Sequence, residues 1–512
     1  MAEPSANILK QTLEETLDGE SDNIDRLSAL PESVLLSILS CLELKEAAAT
    51  SVLSTTWRDI FLQLPNICLN FNINRNPPEQ ARLFHIFTLF AGRVFRERNP
   101  EAPVWFLKVS VSNFTQMMEE DYRSLLMSAA AAVSTQKVYQ FDLRLTCSLL
   151  IESLNIVLPP AMFTSETLTI LRLTLYADWD VPKNVWLPNL KYAHFIPYRL
   201  MHENSTQRFL DGCPRLQGLI LMIGYITDSY ETNVKTLRIS SSSLKNLRLG
   251  WDQMDESEIM NIIVKSESLE RLTLSLTGGH RVNVDTPNLN FFSITGYVLE
   301  LNMIQSLPLI DEVVLDVQYI IQSSTYPQTQ DASTFLRALE NVRLLDISEQ
   351  SMKALYESTS VVPIFRNMYK ISLNYCNLFP HSRIQQVLFN LFENCPNLQV
   401  LFFEKVKVFH HYYYFHHVDF ESVFPISMVQ NLKRLEIFDF KGREMEYKLV
   451  EFFMNNGPCL ETVFLRKDHL RGIWKPEQEQ RIVSMMCSEE CNIILSQNLE
   501  SKIISIKKLD SP

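Results

Sequence analysis

The chain has 512 residues, 46% hydrophobic and 21% charged, which is enough apolar material for a large core without covalent staples. A formal net charge of -12 with no long Lys/Arg block sets it against nucleic-acid backbones. Nine scattered cysteines and only 12 glycines, none at the spacing of a phosphate-cradling loop, argue against a disulfide framework and against nucleotide-binding enzymes.

Residues 1–24 read as a solvated acidic tail, with Glu3, Glu14, Glu15, Asp18, Glu20 and Asp22 against Lys10. A secretory signal needs a basic start and an apolar run, and no stretch is apolar for the length of a membrane helix. The expected setting is intracellular, nucleus or cytoplasm. From Pro31, suited to a first helical position, Val34, Leu35, Ile38, Leu39 and Leu42 recur at helical spacing. A second short helix fits Lys45–Leu53, and Ser54 can cap a third that carries Trp57, Ile60 and Phe61. Three such helices hold more apolar surface than they can bury among themselves, so the surplus faces a partner or the rest of the chain.

The run Asp25-Arg26-Leu27-Ser28, Leu30-Pro31-Glu32, Val34-Leu35, Ile38-Leu39-Ser40, followed by Thr50-Ser51-Val52-Leu53-Ser54 and Trp57-Arg58, resembles the F-box in its plant form. The resemblance implies docking onto a Skp-family adaptor and, through it, a cullin. It points to Leu27, Leu30, Pro31, Val34, Ile38, Leu39, Leu42, Val52, Leu53 and Trp57 as the adaptor-binding residues. Glu43-Leu44 and Thr55-Thr56 depart from the plant pattern, which often has Pro-Thr and a basic pair there.

Beyond a helical linker at 71–103, residues 104–112 and 138–146 read as strands that begin a stack. The phrase Leu-x-x-Leu-x-Leu, or a near variant, then recurs from Leu168, Leu216, Leu244, Leu269, Leu289, Leu398, Leu432 and Leu460. Several first leucines follow a Pro-Asn turn, as at Pro188-Asn189, Pro287-Asn288 and Pro396-Asn397. The steps lie near the leucine-rich-repeat range of about 20–29 residues. Each x-Leu-x-Leu is a strand with one buried face, and segments such as Ser382–Cys395 and Arg443–Gly457 carry helical apolar stripes between strands. The expected fold is an α/β solenoid, a leucine-rich-repeat horseshoe over 104–430, preceded by a small all-α three-helix F-box at 25–70. The stretch 431–466, with Asn431-Leu432-Lys433-Arg434-Leu435-Glu436-Ile437 and Asn456-Gly457-Pro458, resembles the FBD module of plant F-box proteins and is expected to close the solenoid. Residues 467–512 read as a tail.

The concave sheet face is the expected substrate surface. By strand alternation it presents Arg172, Thr174, Arg248, Arg271, Thr273, Phe402 and Arg434 for substrate binding, with Ile170, Asn246, Ser275, Val400 and Glu436 beside them. No catalytic, cofactor-binding or metal-binding residues are expected. The run His410-His411-Tyr412-Tyr413-Tyr414-Phe415-His416-His417 lacks matching ligand spacing, and neighbouring strand residues face opposite ways. Cys487 and Cys491 are read as reduced thiols in a helical tail, and Cys213 and Cys395 as structural. The resemblance implies a non-enzymatic adaptor that brings an unknown substrate protein to a ubiquitin ligase, with no nucleic acid or membrane as partner. Alternatives are a repeat scaffold without ligase role, or a ligand-sensing receptor, for which no cluster of cations stands out along the chain.

Overall fold

The computed structural model describes residues 27, 30–72, 77–114, 118–147, 157–175, 178–197, 199–226, 234–253, 260–318, 333–352, 362–374, 376–377, 383–404, 406–407, 420–467, 474–485, 491–497 and 500–504. Among the described residues three short helices come first: α1 (Glu32–Ser40), α2 (Leu44–Thr50) and α3 (Thr55–Phe61). The Ser54 hydroxyl accepts the Trp57 N–H at 3.3 Å and caps α3 as its position foretells. Leu35, Leu39, Ala47, Trp57, Ile60, Phe61 and Leu64 close a small core, which Val94 of the long helix α4 (Pro77–Glu97) completes. The apolar surface is therefore divided, part going inward and part staying exposed.

A long parallel ladder runs through the rest. Strands Asn66–Asn72, Val104–Phe114, Val138–Cys147, Ile170–Leu175, Tyr192–Ile196, Gly218–Ile226 and Asn246–Gln253 pair each with the next. The ladder continues through Arg271–Asp285, Phe291–Met303, Glu312–Gln318, Leu344–Ser348, Lys370–Asn374, Val400–Phe403, Arg434–Ile437, Thr462–Lys467 and Asn492–Gln497. All are parallel until Glu500–Ile504 turns back antiparallel on the last. The ladder thus begins earlier than expected: Asn66 pairs with Phe106, so the first strand lies at the junction of the regions read as F-box and linker. It also ends later. Helix Pro476–Ser484 and two strands occupy the supposed tail, and buried Trp474 joins them by donating its Nε1–H to the Ser496 carbonyl at 3.3 Å.

Inward residues such as Leu171, Leu173, Leu219, Leu221, Leu272, Leu274, Leu401, Leu435 and Val463 form the main core. The turns between repeats have a polar device of their own. The residue before the first leucine donates its side chain to a carbonyl of the preceding repeat: Thr167 to Val138, Asn189 to Glu166, Ser243 to Leu216, Ser268 to Leu244, Asn288 to Glu267 and Asn397 to Arg366, at 2.7–3.0 Å. These bonds explain the Pro-Asn-Leu signal: the asparagine satisfies a turn carbonyl that no strand partner can reach.

One expectation needs correcting. Helices back the sheet at both ends, as at Glu119–Thr135, Arg383–Glu393 and Glu444–Asn456, but between 212 and 332 no helix occurs among the described residues. A second parallel ladder stands there instead, with Thr236 paired to Asn261, Asn261 to Arg281 and Arg281 to Glu300. Room is short in one part only: Arg271 pairs with Phe291, twenty residues on, and Phe291 with Glu312, which leaves little chain for a helix and two turns, whereas the longer steps from Gly218 to Asn246 and on to Arg271 take strands where a helix would fit. The local sequence also alternates: Leu237, Ile239, Ile262, Val264, Val282 and Val284 are buried between less buried neighbours, all polar except Ile263. Strand Arg271–Asp285 serves both ladders, shifting register between Leu276 and His280. His280 is buried at that corner. Its Nδ1 accepts the Met260 N–H at 3.3 Å, its Nε2 faces the Thr277 carbonyl at 3.0 Å, and burial holds its pKa below the usual range.

Candidate functional site

Two surfaces are candidates. On the N-terminal helical domain, Val34 and Ile38 on α1 and Leu42 just beyond it follow one another at four-residue steps, so they stand along one side of the helix. They are exposed, as is Leu27. Val52 and Leu53, in the turn between α2 and α3, are 86% and 67% exposed. Pro31 is exposed and Leu30 partly so. Leu39 and Trp57 are different, at 0% and 3% exposure inside the domain's own core. This corrects the expectation that all ten residues present themselves to a partner. Leu39 falls on the inward half of the helical period, and Trp57 has the largest side chain available to fill a three-helix core. Exposed apolar side chains on a domain that already has a closed core are surface left for something else to cover.

The second surface is the open face of the ladder. Register sets side chains from successive strands in rows. One row runs Lys108, Asp142, Arg172, His194, Ile220, Arg248, Thr273, Ser293, Val314, Asp346, Ser372, Phe402 and Glu436. Arg172, Arg248 and Thr273 thus share one row, Arg248 three strands beyond Arg172, with Arg271 one row over and Thr174 beside Arg144. Phe402 and Arg434 lie at the other end, Phe402 six strands beyond Arg248. Val400 and Glu436, expected to face outward, are largely covered. Glu436 is engaged by Arg434 of its own strand.

The face is zoned by charge. In the first zone Arg144 holds buried Asp142 through two bonds, Nε to Oδ1 at 3.0 Å and Nη2 to Oδ2 at 2.9 Å. Arg172 and Arg248 have no ion pair among the described residues, and the Arg271 guanidinium lies 3.8 Å above the Phe291 ring. Burial, then the charges of Arg172 and Arg144, hold the His194 imidazole below its usual range. Further along, Glu312, Asp316, Asp346 and Glu404 collect. Burial first, then Glu404 and Asp316, push the Asp346 carboxyl up to about 6, and Asn374 donates its side-chain amide to it. Beyond them Phe402, Phe438 and Phe464 make an aromatic ridge with ring centroids 4.7 and 5.8 Å apart, under Lys370 and Arg466.

No run of residues along the chain shows these clusters; only register assembles them. Outward alternation in 104–112 and 138–146 already held Lys108, Asp142 and Arg144. The acidic strands escaped because their phrases replace leucine, with Ile310, Val342 and Met368 at the first position. Among the described residues no group of His, Cys, Asp and Glu could hold a metal ion. No helix among the described residues is long and apolar enough to cross a membrane. The histidine-rich run 410–417 and Cys487 lie outside the described residues, whereas Cys491 is buried beside a strand rather than in a helix. Burial pushes the Cys213 thiol far up and that of Cys395 to about 12, which leaves both unreactive. Glu446 is the most buried carboxylate of the C-terminal region. Its Oε2 accepts the N–H groups of Lys441 and Arg443, both at 2.9 Å, so it clamps the bend at Asp439 and Gly442, both with positive φ.

Comparison with known proteins matches residues 27–69 to the F-box domain. Residues 134–297 match the repeats described as "FBD-associated F-box protein At5g56370, LRR repeats", and residues 421–465 match FBD. An F-box/LRR-repeat protein of Arabidopsis thaliana is 26% identical over 503 residues, covering 93% of this chain and 96% of that protein. A putative F-box/FBD/LRR-repeat protein of the same plant is 27% identical, covering 92% of this chain and 97% of its own. Another F-box/FBD/LRR-repeat protein is 26% identical with 86% and 91% covered.

Proposed function

We propose that this chain, in which an F-box, leucine-rich repeats and an FBD module follow one another, is the substrate-recruiting subunit of a Skp–cullin–F-box ubiquitin ligase. The observation that carries the reading is the F-box surface: a closed core beneath Leu27, Val34, Ile38, Leu42, Val52 and Leu53, all left exposed. These side chains would dock onto a Skp-family adaptor, which joins the chain to a cullin. The open face of the repeats would hold a substrate protein. The subunit does no chemistry of its own, and its contribution is proximity, which raises the effective concentration of a substrate lysine near a charged conjugating enzyme. Such a subunit works in the nucleus or cytoplasm.

The test is adaptor affinity of the full chain against a Val52→Ala/Leu53→Ala double variant. The substitutions remove two and three carbons. At about 0.8 kcal/mol per buried carbon, scaled by free exposures of 86% and 67%, covering them is worth about 3 kcal/mol. The expected loss is therefore on the order of a hundredfold in Kd, with the fold unchanged because neither residue belongs to the core. Equal affinity of the two proteins would rule these side chains out as the docking surface.

A further inference from the structure

We infer that the first zone of the open face is a docking site for a short anionic segment of a partner protein. The inference deepens the proposed function, since it gives the chemical class of the substrate segment, and it rests on that reading. The zone runs from strand Val138–Cys147 to strand Arg271–Asp285, five strand spacings, or about 24 Å at roughly 4.8 Å each. An extended peptide crossing it contributes about seven residues.

What faces such a peptide is cationic and not self-neutralised. Of the arginines in the zone, Arg144 is satisfied by Asp142. Arg172 and Arg248 are three strands apart in one row with no carboxylate partner among the described residues. Arg271 sits one strand beyond, its guanidinium over the Phe291 ring and in no ion pair with a described carboxylate. Between Arg172 and Arg248 in that row lie His194 and half-buried Ile220, with exposed Tyr192 one row over, and Ile220 and Tyr192 suit apolar side chains set between the anionic ones. Carboxylates and phosphates both match the guanidinium fork, so a Glu/Asp-rich segment and a phosphorylated one share the chemistry. A long polyanion does not fit. Two strands past Arg271 the face turns acidic at Glu312, Asp316, Asp346 and Glu404, and the chain carries a net charge of -12. Charge complementarity therefore limits the anionic stretch to the first zone and favours a peptide over a nucleic acid.

The experiment uses the full chain and fluorescence anisotropy of four labelled probes. These are a heptapeptide alternating Glu and Leu, the same peptide with phosphoserine for Glu, its Lys–Leu counterpart, and a seven-nucleotide single-stranded DNA. At least one anionic peptide is expected to bind while the Lys peptide does not, and the tighter of the two identifies the source of the charge. Arg172→Ala/Arg248→Ala is expected to weaken that binding about tenfold, Arg172→Lys/Arg248→Lys to keep most of it, and Asp346→Asn to leave it unchanged. Anionic peptides that bind no tighter than the Lys peptide, or equally well to the alanine variant, would overturn the inference. DNA binding as tight as the peptides would overturn it in favour of a general polyanion site. Capture by the Skp-family adaptor is measured on the same preparations. Peptide binding without adaptor capture would sink the ligase reading and leave the anionic site standing, and capture without peptide binding would do the reverse.

Discussion

Asp346 sits in the acidic zone of the open face at a cost to the fold. Its carboxyl rises from the ordinary 3.8 to about 6, through burial first and then the charges of Glu404 and Asp316. A carboxyl raised in the folded state binds its proton more tightly there than in the unfolded chain. Ionising it therefore weakens the fold: the penalty is absent below about pH 4, grows as pH rises toward 6, and is full at pH 7.5. At about 1.4 kcal/mol per pKa unit the limit is about 3 kcal/mol. Asp346 is only half-buried, and solvent screening reduces this to about 1 kcal/mol. Asn keeps the shape and still accepts from Asn374 while removing the charge. Asp346→Asn should therefore slow local opening at pH 7.5, read as about fivefold slower amide exchange in strands 344–348 and 370–374, and the gain should vanish near pH 4. The difference between variant and wild type at each pH is the right readout, because the depressed pKa values of His194 and His280 move stability the opposite way. Unchanged or faster exchange in the variant at pH 7.5 would refute the reasoning.

Leu39→Ala, which opens a cavity in the F-box core, should cost about 2–5 kcal/mol and lower the melting temperature of the helical domain, whereas Val52→Ala should leave it unchanged. Asn288→Ala removes the bond to the Glu267 carbonyl and should cost about 1 kcal/mol, seen as faster amide exchange confined to the neighbouring repeats. Glu446→Ala leaves the N–H groups of Lys441 and Arg443 without their acceptor and should cost about 2–3 kcal/mol, with limited proteolysis appearing between 439 and 457.

The repeat architecture was legible because its signal is local. Leu168, Leu244 and Leu269 each head a phrase in which every second strand residue is buried, and the Pro-Asn turns mark where one repeat hands over to the next. The helices at 383–393 and 444–456 were equally plain from their apolar stripes. What the chain concealed depends on distance along it. That the middle repeats carry a second ladder shows in the pairing of Thr236, Asn261, Arg281 and Glu300, successive residues 19 to 25 positions apart. The strand at 492–497 has Glu490 where the leading leucine would stand, and the strand at 66–72, although headed by Leu64, directly follows the helical domain, so pairing reveals both. For the binding surfaces, the helical period shows which residues are apolar but not which half turns inward, so Leu39 and Trp57 could not be told from Val34 and Val52. The charged zones of the open face arise from rows joining residues 20 to 34 positions apart, and no reading of nearest neighbours brings Arg172 to Arg248 or Asp346 to Glu404.

The most direct measurement is to mix the purified full chain with a Skp-family adaptor and a cullin, and to weigh the products by size-exclusion chromatography with light scattering. The expected result is a single species containing one copy of each, which the Val52→Ala/Leu53→Ala variant forms poorly or not at all. A wild-type chain that elutes alone, with circular dichroism showing it folded, would contradict the ligase role.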